Sequence, residues 1–259
     1  MTHPHIPINL NSDLGEWING QLAGADDAML PLVNSANIAC GFHASDPAHI
    51  AQSMRLAREH NVELGAHPSF NDAENFGRQP MQLPPDALKA LVMYQIGAMQ
   101  TMAKLVGAEI THVKPHGALS NMACSDLDMA HTIAEAIEAC SSDLILLAPA
   151  CSALAVAGQT FGLRTALEIY ADRRYENDGQ LVSRRLPDAM VGEPTECVDH
   201  VMAMLEAGGI VTRSGEVLPS PIHSVCVHGD DVHAVATARM LRDALVAGGF
   251  ALSALSELV

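Results

Sequence analysis

Short apolar runs alternate with segments of helical periodicity along most of this 259-residue chain. Each run has the length of a single strand and is bounded by polar residues, glycine or proline. The runs predict seven strands, at residues 6–11, 37–41, 62–67, 111–116, 144–149, 165–170 and 222–228. Because most are apolar runs rather than clean alternations, the pattern favours a parallel sheet buried on both faces.

The segments between the runs have the spacing of amphipathic helices. Asp46 followed by Pro47 is typical of a helix N-cap with proline in the first turn, and Pro85 opens the longest pattern, which ends near Gly107. The other predicted helices lie at about 26–35, 126–140, 194–207 and 231–247. Two long stretches, 69–84 and 172–192, read as irregular, and long loops in a compact domain are often functional.

Strand and helix in alternation predict an α/β fold. We expect one domain spanning residues 1–259, folded as a seven-stranded (β/α) barrel, with an open doubly wound sheet as the alternative. Periodicity alone does not distinguish a closed barrel from an open sheet.

The charge balance narrows the partners. Fourteen basic and thirty acidic side chains give a net charge of −16. Such a surface repels nucleic acid and anionic membranes, so we expect neither as a partner.

Targeting signals and cysteine usage predict a cytoplasmic protein. No apolar run reaches the length of a membrane span, and residues 1–7 lack the basic and apolar regions of a signal peptide. The six cysteines form no C-x-x-C pair, and we interpret them as reduced, mostly as small core residues.

Reactive side chains cluster where the predicted strands end, which in a barrel is the face that carries the active site. The strand ends supply, in chain order, Asn11, Asp13, Glu16, His43, Asp46, His67, Lys114, His116, Glu168, Asp172, Arg173, His228 and Asp230. Several independent strand ends with His, Asp and Lys form a stronger signal than any one of them.

Structural interpretations compete with functional ones at several of these positions. Asp46 fits a helix cap, Asp13 fits a cap of the following segment, and His67 before a proline fits a buried turn. Lys114 is the most informative residue, because it lies inside an apolar strand pattern. A buried ammonium needs a carboxylate or an anionic ligand, although a purely structural ion pair would also satisfy it.

Five arginines crowd one region: Arg164, Arg173, Arg174, Arg184 and Arg185. Arginine binds carboxylates and phosphates in bidentate fashion, so an anion site near residues 172–192 is plausible, with Arg173 as the best candidate. The sequence has no phosphate-binding G-x-x-x-x-G-K-[ST] loop, no G-x-S-x-G elbow and no H-E-x-x-H motif.

The motifs at the strand ends, taken in order, resemble the LamB/YcsF family. They are the stretches 11–16 (NSDLGE), 35–44 (SANIACGFHA), 65–70 (GAHPSF), 74–78 (ENFGR), 94–98 (YQIGA), 113–117 (VKPHG), 171–173 (ADR) and 227–230 (VHGD). The resemblance covers residues 6 to 250. Two positions depart from the family pattern: Ser120 stands where a tyrosine is usual, and Ser183 where a proline is usual.

The resemblance implies a seven-stranded barrel similar to glycoside hydrolases and polysaccharide deacetylases. It implies the A component of an ATP-dependent 5-oxoprolinase, which opens the lactam ring of 5-oxoproline to give glutamate with partner subunits B and C. ATP, with a divalent cation that we expect to be Mg²⁺, is the implied cofactor, and we expect no tightly bound organic group.

The site residues follow from residue type. We expect Asp13, His67, Lys114 and His116 to be catalytic, and Asn11, Glu16, His43, Asp46, Arg173 and His228 to bind substrate. One alternative is a metal-dependent deacetylase with Asp13, His43 and His67 as ligands. The other is a lactam- or carbohydrate-binding protein without activity.

Overall fold

The computed structural model describes residues 6–229 and 233–259. Its strands are β1 (Ile6–Leu14), β2 (Trp17–Ile18), β3 (Gln21–Leu22), β4 (Ser35–Ala39), β5 (Glu63–His67), β6 (Ile110–Val113), β7 (Ile145–Pro149), β8 (Arg164–Tyr170), β9 (Gly209–Val211), β10 (Val217–Pro219), β11 (Ser224–Cys226) and β12 (Phe250–Leu252). Its helices are α1 (Asp26–Met29), α2 (Pro47–Glu59), α3 (Pro85–Leu105), α4 (Gly117–Ser125), α5 (Leu127–Cys140), α6 (Ala153–Thr160), α7 (Pro194–Ala207) and α8 (Ala234–Ala247), and a 3₁₀ turn spans Leu255–Glu257.

Seven parallel strands close into a barrel, in the order β1, β4, β5, β6, β7, β8 and β11. Pairing of β11 with β1, with Asn9 opposite Ser224, completes the ring. The prediction of a seven-stranded barrel is therefore confirmed, and the open-sheet alternative is wrong because the barrel strands leave no free edge between β11 and β1.

Polar and apolar residues alternate on β1, and the alternation sorts them between two layers. Ile8 and Leu10 pack in the main apolar core, whereas Asn9, Asn11 and Asp13 are buried polar residues that bond across the lumen. The interpretation of these strands as apolar runs is therefore wrong for β1. Its inward positions carry polar groups that the neighbouring strands satisfy.

The base of the barrel is closed by the C-terminal segment. Leu255 is fully buried in a small separate apolar cluster with Ile145, Leu147 and Ala166. Just before it, β12 pairs with the first residues of β1, so Ile8 lies opposite Leu252. The same edge of β1 thus carries β12 at the base and β11 higher up.

Local capping explains where most helices begin. The Asp46 carboxylate accepts hydrogen bonds from the Ala48 and His49 backbone N–H groups, which confirms the cap predicted at α2. Asp126 caps α5 in the same way. Helices α3 and α7 begin with Pro85 and Pro194, as predicted.

Other elements differ from the prediction. Helix α1 covers four residues rather than ten, and α4 and α6 were not predicted, because both are short and rich in small residues. The predicted start of the last helix at 231, and Asp230 at the end of the seventh strand motif, lie outside the described residues.

Among the described residues, 6–229 and 233–259, none of the helices has the length and apolar character needed to cross a membrane. The six cysteines are all unpaired, and Cys40, Cys124, Cys197 and Cys226 are buried. These four match the interpretation of the cysteines as small core residues.

Candidate active site at the barrel mouth

A cavity of about 640 Å³ opens at the carboxyl ends of the barrel strands. Both long loops form its rim, Phe76, Arg78 and Pro80 from the first and Arg173 and residues 180–185 from the second. Its remaining lining is Asp13, Glu16, His67, Lys114, Pro115, His116, Gly117, Ser120, Asn121, Ser125, Tyr170, His228 and Gly229. Both positions that depart from the family pattern, Ser120 and Ser183, therefore face this cavity.

Lys114 lies at the floor of the cavity with its ammonium group buried. Its Nζ lies 2.9 Å from Asp13 Oδ1 and 3.2 Å from Glu168 Oε2, with Asn11 Oδ1 at 3.4 Å and Cys226 Sγ at 3.1 Å. An ammonium has three N–H donors, so these protein groups already engage all of them. The first role of Lys114 is therefore to stabilise the negative charges of Asp13 and Glu168.

The charges at the floor depend on one another. Burial disfavours the charge of Lys114, but Asp13 and Glu168 outweigh it and raise the pKa of the ammonium well above its usual value. Burial likewise opposes ionisation of Asp13, yet the neighbouring His67 and Lys114 lower the pKa of its carboxyl well below its usual range. Asp13 is thus a buried carboxylate at neutral pH.

A chain of amides holds Asp13 from below. Asn37 Nδ2 donates to Asp13 Oδ1 at 2.8 Å and to Asn11 Oδ1 at 2.8 Å, and its Oδ1 lies 2.9 Å from His112 Nε2. Burial, followed by the Lys114 charge, lowers the pKa of His112 to about 3, so its ring stays neutral. Gly65 makes room for it, since a Cβ there would lie 2.2 Å from His112 Nε2.

We call Glu16, His43, His67 and His116 the histidine wall. The His43 and His116 rings stack with their centroids 3.8 Å apart, and His116 Nδ1 lies 3.0 Å from His67 Nε2. Burial lowers the pKa of both His43 and His116 well below the usual value. These two rings are therefore neutral.

The first long loop presses against the histidine wall through its backbone. The Phe76 carbonyl accepts a hydrogen bond from His116 Nε2 at 2.9 Å. Gly77 follows with φ +65°, and a Cβ there would lie 2.9 Å from His43 Cβ and from His116 Cδ2. Only glycine fits this conformation and this approach without displacing the rings.

We call Lys114, Glu168, Tyr170, Arg173 and His228 the lysine wall. Its chemistry is set by ion pairs and by a phenol. Tyr170 donates to Glu168 Oε1 at 2.8 Å, and burial raises its pKa well above the usual value, so the phenol keeps its proton.

His228 faces the cavity with a ring that is ion-paired to Asp172. Its Nδ1 lies 2.8 Å from both carboxylate oxygens of Asp172, and its Nε2 lies 3.9 Å from Asp13 Oδ2. Burial opposes the charge, but Asp172 and Asp13 raise the pKa of His228 above its usual value.

Arg173 completes the lysine wall from the second long loop. Its Nη2 donates to the Val182 carbonyl at 2.7 Å, while its buried Nε makes no hydrogen bond within the described part of the chain. Burial and the nearby Arg184 lower the pKa of its guanidinium. An anion in the cavity would supply the acceptor that Nε lacks and offset the Arg184 repulsion.

The structure brings together nine of the ten residues chosen from the sequence. Asp46 is the exception: it is exposed, caps α2, bonds His49 Nδ1 at 2.7 Å and does not line the cavity. Its selection as a substrate-binding residue has no support here, because its side chain is engaged as the cap.

Sequence reasoning missed several partners of the site: Asn37, His112, Tyr170 and Cys226. It noted Glu168 at a strand end but did not choose it as a site residue. They occupy inward positions of their strands, where the apolar context hides them. For His112 and Glu168 the spacing was a usable signal, since each lies two residues before a polar residue of the mouth.

Two groups of described residues have the ligand types and spacing for a metal ion. One is Asp13, Cys226 and His228, and the other is Glu16, His67 and His116. The ligand set expected for a deacetylase, Asp13 with His43 and His67, is neither of these groups. Burial raises the pKa of the Cys226 thiol well above its usual value although Lys114 opposes the rise, which disfavours a thiolate ligand in the first group.

Sequence comparison identifies the family of the chain. The family model described as "LamB/YcsF family" matches residues 8–259. A relative from Azoarcus sp. (strain BH72), named as the A component of 5-oxoprolinase, is 49% identical over 253 residues, covering 98% of this chain and 99% of the relative.

Solved structures support the same relationship. The lactam utilization protein from Thermus thermophilus has a TM-score of 0.89 at 36% identity, over 96% of this chain and 100% of the other. A structure titled "T48 deacetylase with substrate" has a TM-score of 0.52 at 11% identity, over 98% and 90% of the two chains, and so shares the fold alone. With a matching family model over nearly its whole length, the chain belongs to the LamB/YcsF family.

Proposed function

We propose that this chain is the A component of an ATP-dependent 5-oxoprolinase and that its barrel mouth receives the lactam substrate. The relatives carry the name of that component. The observation that carries the proposal is the floor of the cavity, where Asp13 is ionised beside Lys114, with the neutral rings of His43 and His116 on one wall and Arg173 on the other. That arrangement suits a small anionic substrate with a carbonyl to be attacked.

The reaction is 5-oxoproline plus ATP and two molecules of water giving glutamate, ADP and phosphate. An unstrained lactam resists attack by water because its amide is stabilised by resonance. ATP, with its Mg²⁺, supplies the phosphoryl group that activates the lactam oxygen.

The lysine wall orients the substrate. In our proposal the Arg173 guanidinium and the His228 imidazolium bind the substrate carboxylate or a phosphoryl group, because both are donors that face the cavity. Lys114 keeps Asp13 charged and adds positive potential at the floor, which stabilises negative charge that develops on the carbonyl.

The histidine wall lies beside the carboxylate that removes a proton from the attacking water. His67 Nδ1 donates to the Lys114 carbonyl at 2.6 Å, which leaves Nε2 as the ring nitrogen that faces Asp13. Nε2 lies 3.4 Å from Asp13 Oδ2. A water placed here would lose its proton to Asp13 as it attacks.

The nucleotide chemistry is assigned to the assembly rather than to this chain alone. The sequence has no glycine-rich phosphate loop, and its net charge of −16 disfavours free ATP. We therefore propose that subunits B and C supply or complete the ATP site, in a cytoplasmic complex. The unpaired cysteines of the chain are consistent with that compartment.

The test is glutamate release from 5-oxoproline, measured for the chain alone and mixed with its partner subunits, with and without ATP. We expect turnover only for the mixture with ATP. Robust ATP-dependent turnover by the chain alone would contradict the assignment of ATP chemistry to the assembly. Deacetylation of an N-acyl substrate without ATP, or lactam binding with no turnover in the mixture, would overturn the proposal as a whole.

A further inference from the structure

Three buried histidines at the barrel mouth each direct one ring nitrogen at a protein acceptor. His67 Nδ1–H donates to the Lys114 carbonyl, and His116 Nε2–H donates to the Phe76 carbonyl. His43 Nδ1 donates to Ser69 Oγ at 2.9 Å, because the Ser69 hydroxyl proton is used on the Phe70 carbonyl. A neutral imidazole carries one ring proton, so in the neutral state of each ring the opposite nitrogen offers a lone pair.

The opposite ring nitrogens face other acceptors rather than donors. His67 Nε2 and His116 Nδ1 are only 3.0 Å apart. Glu16 Oε1 lies 3.8 Å from His116 Nδ1 and 3.4 Å from His43 Nε2, and His43 Nε2 makes no hydrogen bond among the residues described. Lone pairs that face one another in a buried site are costly unless a proton or a cation lies between them.

We propose that Glu16, His67 and His116 bind one divalent transition-metal cation at the mouth of the barrel. Their three ligand atoms lie within 4.8 Å of one another, and all three residues are buried. The two ligand pairs that include His116 Nδ1, 3.0 Å and 3.8 Å apart, subtend angles of roughly 90° to 130° at an ion about 2.1 Å away, which spans the values of common coordination geometries.

A cation explains the cluster better than one extra proton. A single proton between His67 and His116 would leave the His43 and Glu16 acceptors facing each other. A divalent cation instead accepts lone pairs from several ligands at once. The Asp13 carboxylate, 3.4 Å from His67 Nε2, adds favourable negative charge next to the site.

The surroundings of the rings match those of metal ligands. Metal-binding histidines donate their other ring N–H to a carbonyl or a carboxylate, which fixes the tautomer and the ring orientation. The Lys114 and Phe76 carbonyls do this for His67 and His116. Stacking against His43 further fixes the His116 ring.

The ligand set also selects the class of ion. Two imidazole nitrogens favour Zn²⁺, Co²⁺, Fe²⁺ or Ni²⁺, whereas Mg²⁺ prefers oxygen ligands. The proposed transition-metal site is thus distinct from the site of the Mg²⁺ that accompanies ATP. Binding to the isolated chain tests it without any turnover, so its outcome is separate from that of the proposed function.

The experiment is calorimetric titration of the chelator-treated, full-length chain with Zn²⁺ and with Co²⁺. We expect one equivalent to bind, with at least tenfold weaker binding in His67→Gln and in His116→Gln. The matched control is His60→Gln, which changes an exposed histidine at the end of α2 and should bind like the unchanged chain.

Glu16→Gln is a further ligand variant that keeps the size of the side chain, so we expect it to fold. It should also weaken metal binding. Circular dichroism confirms the fold of each variant, and the visible spectrum of bound Co²⁺ reports nitrogen ligands. Absence of a bound equivalent, binding unchanged in the two ligand-histidine variants, or a Co²⁺ spectrum of oxygen ligands alone would each overturn the proposal.

Discussion

The histidine wall and the lysine wall face the same cavity, yet they distribute protons in opposite ways. On the histidine wall, His67 and His116 both donate outward to backbone carbonyls, so that their other ring nitrogens face each other. On the lysine wall, carboxylates raise the pKa of both Lys114 and His228. One wall offers lone pairs, and the other offers positive charge.

Asp13 connects the two walls with its two oxygens. Its Oδ1 lies 2.9 Å from Lys114 Nζ, while its Oδ2 faces His67 Nε2. The comparison shows that similar strand-end residues acquire opposite functions from their hydrogen-bond partners. Residue type alone would assign His67 and His228 the same chemistry.

The largest expected effect comes from removing the charge that the two walls share. Lys114→Met leaves Asp13 and Glu168 buried without a counter-ion, which should cost about 3–5 kcal/mol of stability. Turnover of the assembled enzyme should fall by at least about a hundredfold. Urea unfolding and glutamate release measure the two effects, and Lys89→Met is the matched control, on a partly exposed helical lysine paired with Glu135.

A double variant separates structure from catalysis at this position. Lys114→Met combined with Glu168→Gln removes one unpaired charge and should recover part of the lost stability. It should recover none of the activity, because Asp13 still lacks its counter-ion. Normal turnover by either variant would show that the ion pair is only structural.

Arg173 tests whether the lysine wall binds an anion. Arg173→Met should raise KM for 5-oxoproline about 10- to 100-fold in the assembled enzyme, since hydrogen bonds to charged groups contribute about 1.5–3 kcal/mol. The effect on kcat should be smaller. Steady-state kinetics measure both constants, and Arg174→Met, beside it but outside the cavity lining, should leave KM unchanged. An unchanged KM in Arg173→Met would remove this residue from the substrate site.

Gly77 tests how closely the first loop supports the histidine wall. Gly77→Ala should lower the free energy of unfolding by roughly 1–3 kcal/mol more than Gly20→Ala. Both glycines have positive φ, +65° and +76°, but a Cβ at Gly20 meets nothing within 4 Å. Thermal or urea unfolding of the two variants checks the difference, and equal costs would mean that the histidine rings yield freely to the added methyl group.

The smallest expected effect is a pH dependence of stability on the lysine wall. Because the pKa of His228 is raised in the folded protein, its stabilising contribution is complete below the unfolded pKa of about 6.5 and is lost as pH rises through the folded value. Asp172→Asn should flatten this fall in urea unfolding followed across that range. Asp243→Asn, at an exposed position of α8, should keep the fall in stability with rising pH. An unchanged slope in Asp172→Asn would assign this pH dependence to a group other than His228.

The fold was largely predictable because strand–helix alternation is a local property of the chain. The seven barrel strands were placed within a few residues, and closure was the first of two alternatives. Helices α4 and α6 escaped detection because their small residues give little amphipathic contrast. Closure itself depends on the pairing of β11 with β1, which no local pattern encodes.

The site was predictable in membership but not in arrangement. Strand ends of a barrel converge, so Asp13, His67, Lys114 and His116 were expected to meet. Which nitrogen of each histidine is protonated depends on carbonyls brought from elsewhere, such as that of Phe76. Glu168 was noted at a strand end but not chosen as a site residue, since only the folded barrel brings it to Lys114.

The single edge of β1 that receives both β11 and β12 has a consequence for how the molecule folds. Asn9 bonds Ser224 and the carbonyl of Ser253, partners that lie 215 and 244 positions away in the sequence. Contacts this distant are formed late and slowly, because the loop entropy must be lost before they form. The polar lumen therefore stays open to water until the first and last strands meet. The same seam is where we expect local unfolding to admit water first, well away from the cavity at the mouth.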